Sequence, residues 1–178
     1  MYTPIEHPAL WVALATTSVA AYTDFRTGLI PNVVVGSGAV AGVLAQLSAA
    51  ALGQEGISTA LQQMGLGLAV GAIIPVTLYA FGALGGGDLK LFAALGLCLG
   101  PTHVLAVELW SHVIALLFVL GSSTLRTSIG TSVRLVHNLF VPASARKPLP
   151  RTSMTALRLA PSILLALVWV CVLGERLP

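Results

Sequence analysis

Charge is what this sequence has least of. Only 8% of its 178 residues are Asp, Glu, Lys or Arg, where a soluble domain carries about a quarter. So few charges cannot cover a water-facing surface, and a soluble globular fold is excluded. Cysteine is nearly absent too. Cys98 and Cys171 stand alone in apolar surroundings with no CxxC spacing, which leaves no zinc motif or disulfide framework, and no cofactor motif is present. The N-terminal "MYTPIEHPALWVALATTSVAA" has no positive n-region and carries Glu6 and His7 instead, so it is expected to be a retained span rather than a signal peptide. The formal charge of +3 does not suggest a nucleic-acid partner. A few basic residues beside membrane spans set orientation instead.

What is there is apolar: 56% of the residues are hydrophobic and the mean hydropathy is +0.92. Several apolar runs approach the ~20 residues that cross a bilayer as a helix. They predict an all-α polytopic membrane protein, one domain over 1–178, with six spans near 8–23, 31–52, 59–83, 87–100, 102–125 and 155–174. A long loop, about 126–154, holds Arg126, Arg134, Arg146, Lys147 and Arg151. Its segment "SVRLVHNLF" suits a short interfacial helix, and its Pro- and Ser-rich end reads as a linker. The fourth run is short, about 20 Å as a helix. If it spans, Arg26, Lys90 and the basic loop share one side, the cytoplasmic one. Both termini and the "GQEGIS" link then face outward, with Arg176 a lone exception.

That topology singles out two of the six acidic residues. Asp24 closes the first span and Asp88 opens the fourth, so both come to the cytoplasmic ends of their helices. An ionisable residue at the edge of the hydrocarbon that faces the bundle is a functional candidate. Two carboxylates held close together cannot both ionise cheaply, and they share a proton. One can then take a proton from water while the other polarises a carbonyl, which suits peptide hydrolysis. Each aspartate taken alone also fits a helix-end charge reaching headgroups, or an N-terminal cap favoured by the helix dipole.

The sequence around Asp88 is "LGGGDLKLFAALG". Gly85 to Gly87 lack Cβ, which permits a tight turn or the close approach of another backbone, such as a peptide substrate's. Around Asp24 the run is "DFRTGLIPN", where Pro31 fits the first turn of the second span. Arg26 and Lys90 each stand two residues from an aspartate, roughly 160° away on a helix. They are read as headgroup anchors, with contact to substrate as the alternative.

Together "GGGDLK" at 85–90 and "DFRTGLIPN" at 24–32 resemble the type IV prepilin peptidases, polytopic aspartic proteases with a GxGD signature. The likeness covers essentially the whole chain, in a short form resembling those of tight-adherence (Flp-type) pili. It implies cleavage of the short basic leader of prepilins and pseudopilins, after a glycine, at the cytoplasmic membrane face. It also implies Asp24 and Asp88 as catalytic residues, with Gly85 and Gly87 as the signature glycines. The paired cysteines and extra cytoplasmic domain of longer relatives are not seen, so methyl transfer to the new N-terminus is not expected. "RLAPSILLAL" also lacks the P-Y-G-like run of many relatives. Two other classes stay open: a small transporter with a broken-helix cation site, and a non-catalytic pilus assembly component.

Other features have plainer readings. Glu108 and His112 share a helix face and are expected to satisfy each other; with His103 on another side, no metal site is expected. Pro75 is expected to kink the third span, and Gly65, Gly67 and Gly71 predict close helix packing. Trp11, Trp110 and Trp169 are interface anchors or packing residues.

Overall fold

The computed structural model describes residues 7–121 and 159–174. The basic loop at 126–154 and the tail with Arg176 lie outside the described residues. Five helices are present among those residues: α1 Pro8–Thr27, α2 Asn32–Ala51, α3 Ile57–Ala80, α4 Gly86–Gly121 and α5 Ala160–Gly174. No strand occurs among them.

The helix ends follow local chemistry. α1 begins on Pro8, whose missing N–H has no helical partner to lose. It runs a turn past the predicted end at 23, as far as Gly28, whose φ of 70° is a left-handed stop. Its hydroxyls cap their own helix: Thr17 and Ser18 each donate to the carbonyl four residues back, at 2.7 Å. These polar side chains are thereby satisfied without water. Pro31 is the residue before α2, with extended φ/ψ of −64° and 134°, one place earlier than the sequence predicts. α3 continues through Pro75 as one helix and stops at Gly82, φ 73°, where Ala83 N–H donates back to Leu78 O at 2.8 Å.

The predicted fourth and fifth spans form one assigned helix, α4, broken at Gly100 with φ 73° and ψ 176°. The chain reverses there. The rings of Phe92 and His112 stack with centroids 6.1 Å apart, whereas a straight helix would separate such residues by about 30 Å. Gly100 supplies the positive φ, and Pro101 cannot donate to the preceding turn. α4 is therefore a hairpin with arms 86–99 and 101–121.

α3 packs most extensively on α4, and α5 covers α4 and α1. Close approach between α3 and the first arm depends on glycine. A Cβ on Gly67 would collide with the backbone carbonyl of Gly96, and one on Gly71 would lie 2.6 Å from Phe92 O. Gly65 faces open space, so it takes no part in the expected packing. Leu91, Phe92, Leu95, Val104, Ile163 and Leu167 are fully buried in the core. Trp110 and Trp169 meet edge to face at 5.8 Å, joining α4 to α5.

The outside is apolar as well. Val33, Val40, Leu44, Leu66 and Ile73 are all exposed, as a molecule solvated by lipid requires. α2, α3 and the stretch Gly86–Phe118 are each long and apolar enough to cross a membrane. α1 carries more polar residues and α5 is shorter.

Candidate functional site

Asp24 and Asp88 arrive at the same end of the bundle from elements far apart in the chain. Asp24 lies in the last turn of α1 and is 7% exposed. Its main-chain carbonyl accepts the Gly28 N–H at 2.8 Å, which ends the helix and turns the chain toward α2. Asp88 is the third residue of α4 and is half-buried. Its carboxylate accepts a hydrogen bond from the Gly85 backbone N–H, the reach-back of a capping box. The two carboxyl groups are close enough for the charge of Asp24 to act on Asp88.

Two contacts tie the Asp24 segment to the Asp88 segment. Ile30 sits against Gly87, where a Cβ would come within 3.1 Å of the isoleucine Cβ. Lys90 Nζ donates to Asn32 Oδ1 at 2.9 Å. Ile30 and Asn32 have no assigned role in the sequence reading, although both stand inside "DFRTGLIPN". Their signal was position within that run, and it becomes legible once the partner across the bundle is seen.

The three glycines meet neighbours within the chain itself. The face of Gly87 is occupied by Ile30. A Cβ on Gly85 would lie 3.0 Å from Asp88 Oδ2, and one on Gly86 would make ordinary contact with Tyr79 at 3.5 Å. Lys90 has a partner within the chain, Asn32, rather than only headgroups or substrate. Arg26 lies over the Tyr22 ring of its own helix, 5.3 Å from the centroid, and both residues are exposed.

Elsewhere one expectation fails. His112 Nδ1 donates to the main-chain carbonyl of Glu108 at 2.6 Å, not to its carboxylate. Both Glu108 side-chain oxygens and His112 Nε2 are buried without a hydrogen-bond partner among the described residues. The ring is drawn instead onto Phe92, across the α4 hairpin. Among the described residues, no group of three or more His, Cys, Asp or Glu side chains is placed to hold a metal ion.

A pair of carboxyl groups at the end of an apolar bundle, held by a glycine turn, can share a proton and act as acid and base on one water. Neither a curated protein nor a solved structure matches the chain significantly. The sequence model of the type IV leader peptidase family matches residues 11–120, more than half of the chain and the whole stretch containing both aspartates. With its apolar helices, this is a membrane protein and a peptidase: the chain belongs to the type IV leader peptidase family.

Proposed function

We propose that the chain is an aspartic-type endopeptidase that removes the basic leader from type IV prepilins and pseudopilins, serving pilus assembly or secretion. The observation that carries this reading is the convergence of Asp24 and Asp88 at one end of the bundle. The ionised carboxylate removes a proton from water as it attacks the scissile carbonyl. The protonated carboxyl donates to the carbonyl oxygen, and the roles reverse as the amine leaves. Ile30 on Gly87 and Lys90 on Asn32 keep the two segments in register, so that neither carboxyl has to be recruited from afar.

In this reading the chain crosses the cytoplasmic membrane six times, the two arms of α4 counting separately. The aspartates lie at the cytoplasmic face with the loop at 126–154, and both termini lie outside. The distribution of Lys and Arg supports this orientation.

Co-expression with a prepilin carrying a basic leader tests the mechanism through the size of the pilin. The wild type is expected to process it, and Asp24→Asn and Asp88→Asn are each expected to abolish processing while the protein still accumulates in the membrane. Processing that survives either substitution would overturn the dyad. A wild type that processes no prepilin would favour the transporter or assembly-component readings.

A further inference from the structure

Between α2 and the first arm of α4 lies an open groove of about 400 Å³, with Leu68 of α3 also lining it. The two helices run side by side in the same direction. Asn32, the first residue of α2, is bonded to Lys90 near the start of α4. Ten residues further along α2, a Cβ on Gly42 would collide with Cys98 Sγ. The groove is polar at one end only. Asn32 and Lys90 are its polar lining residues, and all the others are Val, Leu, Ala or Gly. From that end the lining continues to Ala39 on α2 and Leu97 on α4, seven residues on each helix, about 10 Å. Gly36, midway along the α2 wall, is exposed, and a Cβ there would meet nothing within 4 Å.

The polar end is rich in donors. Lys90 uses one N–H on Asn32 Oδ1, at 2.9 Å, and its ammonium keeps two more. With that oxygen engaged, Asn32 presents its amide N–H groups. Both side chains are exposed, so a ligand reaches them directly. Asn32 also opens α2, whose N-terminus has no side-chain cap and favours negative charge. Asp88, two residues from Lys90, interacts with Asp24 instead and does not line the groove. Such a group of donors beside one fixed positive charge fits an anion with several acceptor oxygens.

The length of the groove selects what that anion is attached to. In a bilayer an open apolar groove is solvated by acyl chains, which are as apolar as leucine. An acyl chain reaches from the headgroup to the midplane, about 15 Å. A groove that starts at the end of a span and runs about 10 Å inward therefore matches one leaflet. A partner helix crossing the bilayer would extend over about 30 Å, and the groove would support only about a third of it.

We propose that this groove binds one anionic phospholipid, with its phosphate on Lys90 and Asn32 and one acyl chain lying against Gly36, Ala39, Ala93 and Leu97. The proposal rests on the membrane setting and not on the activity of Asp24 and Asp88.

The test uses the full chain purified in a maltoside detergent. It is titrated with phosphatidylglycerol or with phosphatidylcholine of the same acyl chains, and lipid-bound species are counted by native mass spectrometry. The wild type is expected to bind one phosphatidylglycerol saturably, about fivefold more tightly than phosphatidylcholine, the worth of one lysine near an anionic surface. Lys90→Gln is expected to remove that preference and Lys90→Arg to keep it. Gly36→Phe fills the open middle of the groove from an exposed helix face. It is expected to weaken both lipids by about tenfold or more, through lost contact with the acyl chain, with the melting temperature unchanged. This variant keeps the test valid if a Lys90 variant fails to fold. Equal affinity of the wild type for the two lipids, phosphatidylglycerol binding unchanged in Lys90→Gln, or lipid binding unchanged in Gly36→Phe would overturn the proposal. So would the loss, in Gly36→Phe, of a dimer or a bound prepilin in place of a lipid, which would give the groove to a second copy or to substrate.

Discussion

Gly85, Gly86 and Gly87 face three different neighbours: the Asp88 carboxylate, the Tyr79 ring and Ile30. Alanine substitution separates their roles. At Gly87 the new methyl, 3.1 Å from Ile30, pushes the Asp24 segment away from Asp88. At Gly85 it displaces the carboxylate itself. Misplacement of reacting groups on this scale slows catalysis by about tenfold to hundredfold. Prepilin cleavage by Gly85→Ala and Gly87→Ala is expected to fall within that range, and Gly86→Ala is expected to stay near wild type. Rates measured beside melting temperatures in detergent check this, since the losses are expected without a matching loss of stability. A second prediction concerns Lys90. It is exposed, and its bond to Asn32 contributes little by itself, about 1 kcal/mol. Lys90→Met is therefore expected to leave melting nearly unchanged. If the bond sets the spacing of the two aspartates, Lys90→Met and Asn32→Ala lower the cleavage rate equally, and the double variant is no worse than either single one.

Helix packing is decided by glycines that look alike in sequence. Gly65 and Gly67 sit in the same run of α3, yet Gly67 meets the Gly96 backbone and Gly65 meets nothing. Gly67→Ala is expected to destabilise the bundle by about 1–3 kcal/mol, the range for overpacking a tight contact. Gly65→Ala is expected to be neutral or stabilising by up to about 1 kcal/mol through helix propensity. Gly100→Ala belongs to the same scale. A side chain at φ 73° is strained by about 1–2 kcal/mol, and here it also meets Gln63 Oε1 at 2.9 Å. Reversible unfolding in mixed detergent, followed by circular dichroism, ranks the three. The existence of these helices was legible from apolar runs ended by Gly and Pro. The doubling back of α4 was legible only in part, as a glycine–proline break that leaves the angle of the turn open.

At the scale of the whole molecule the proposed orientation places the Gly28–Pro31 link in the cytoplasm and the α2–α3 link outside. In a chain with Cys98 and Cys171 replaced by serine, Leu29→Cys and Ser58→Cys put single thiols at exposed positions beside these links. A membrane-impermeant maleimide is expected to label the Ser58 variant in intact cells and the Leu29 variant only after permeabilisation. The reverse pattern would invert the topology. The two ends of the bundle also differ chemically, with paired aspartates at one and a cavity lined by both polar and apolar side chains at the other. Nothing in the spacing of His7, Gln46, Glu55 and Gln63 announces that cavity, because its walls come from different elements.

Composition alone determined that this protein lives in lipid, since a chain so poor in charge has no other solvent. Two short runs, "DFRTGLIPN" and "GGGDLK", were enough to mark the candidate residues and the family they resemble. Those properties are local and survive in one dimension. Tertiary structure alone decided which glycines touch backbone, that Lys90 reaches Asn32, that Glu108 and His112 do not pair through their side chains, and that a cavity lies at the end of the bundle remote from the aspartates. Each of these depends on contacts between helices, and the register of one helix on another is set by packing that sequence spacing does not encode.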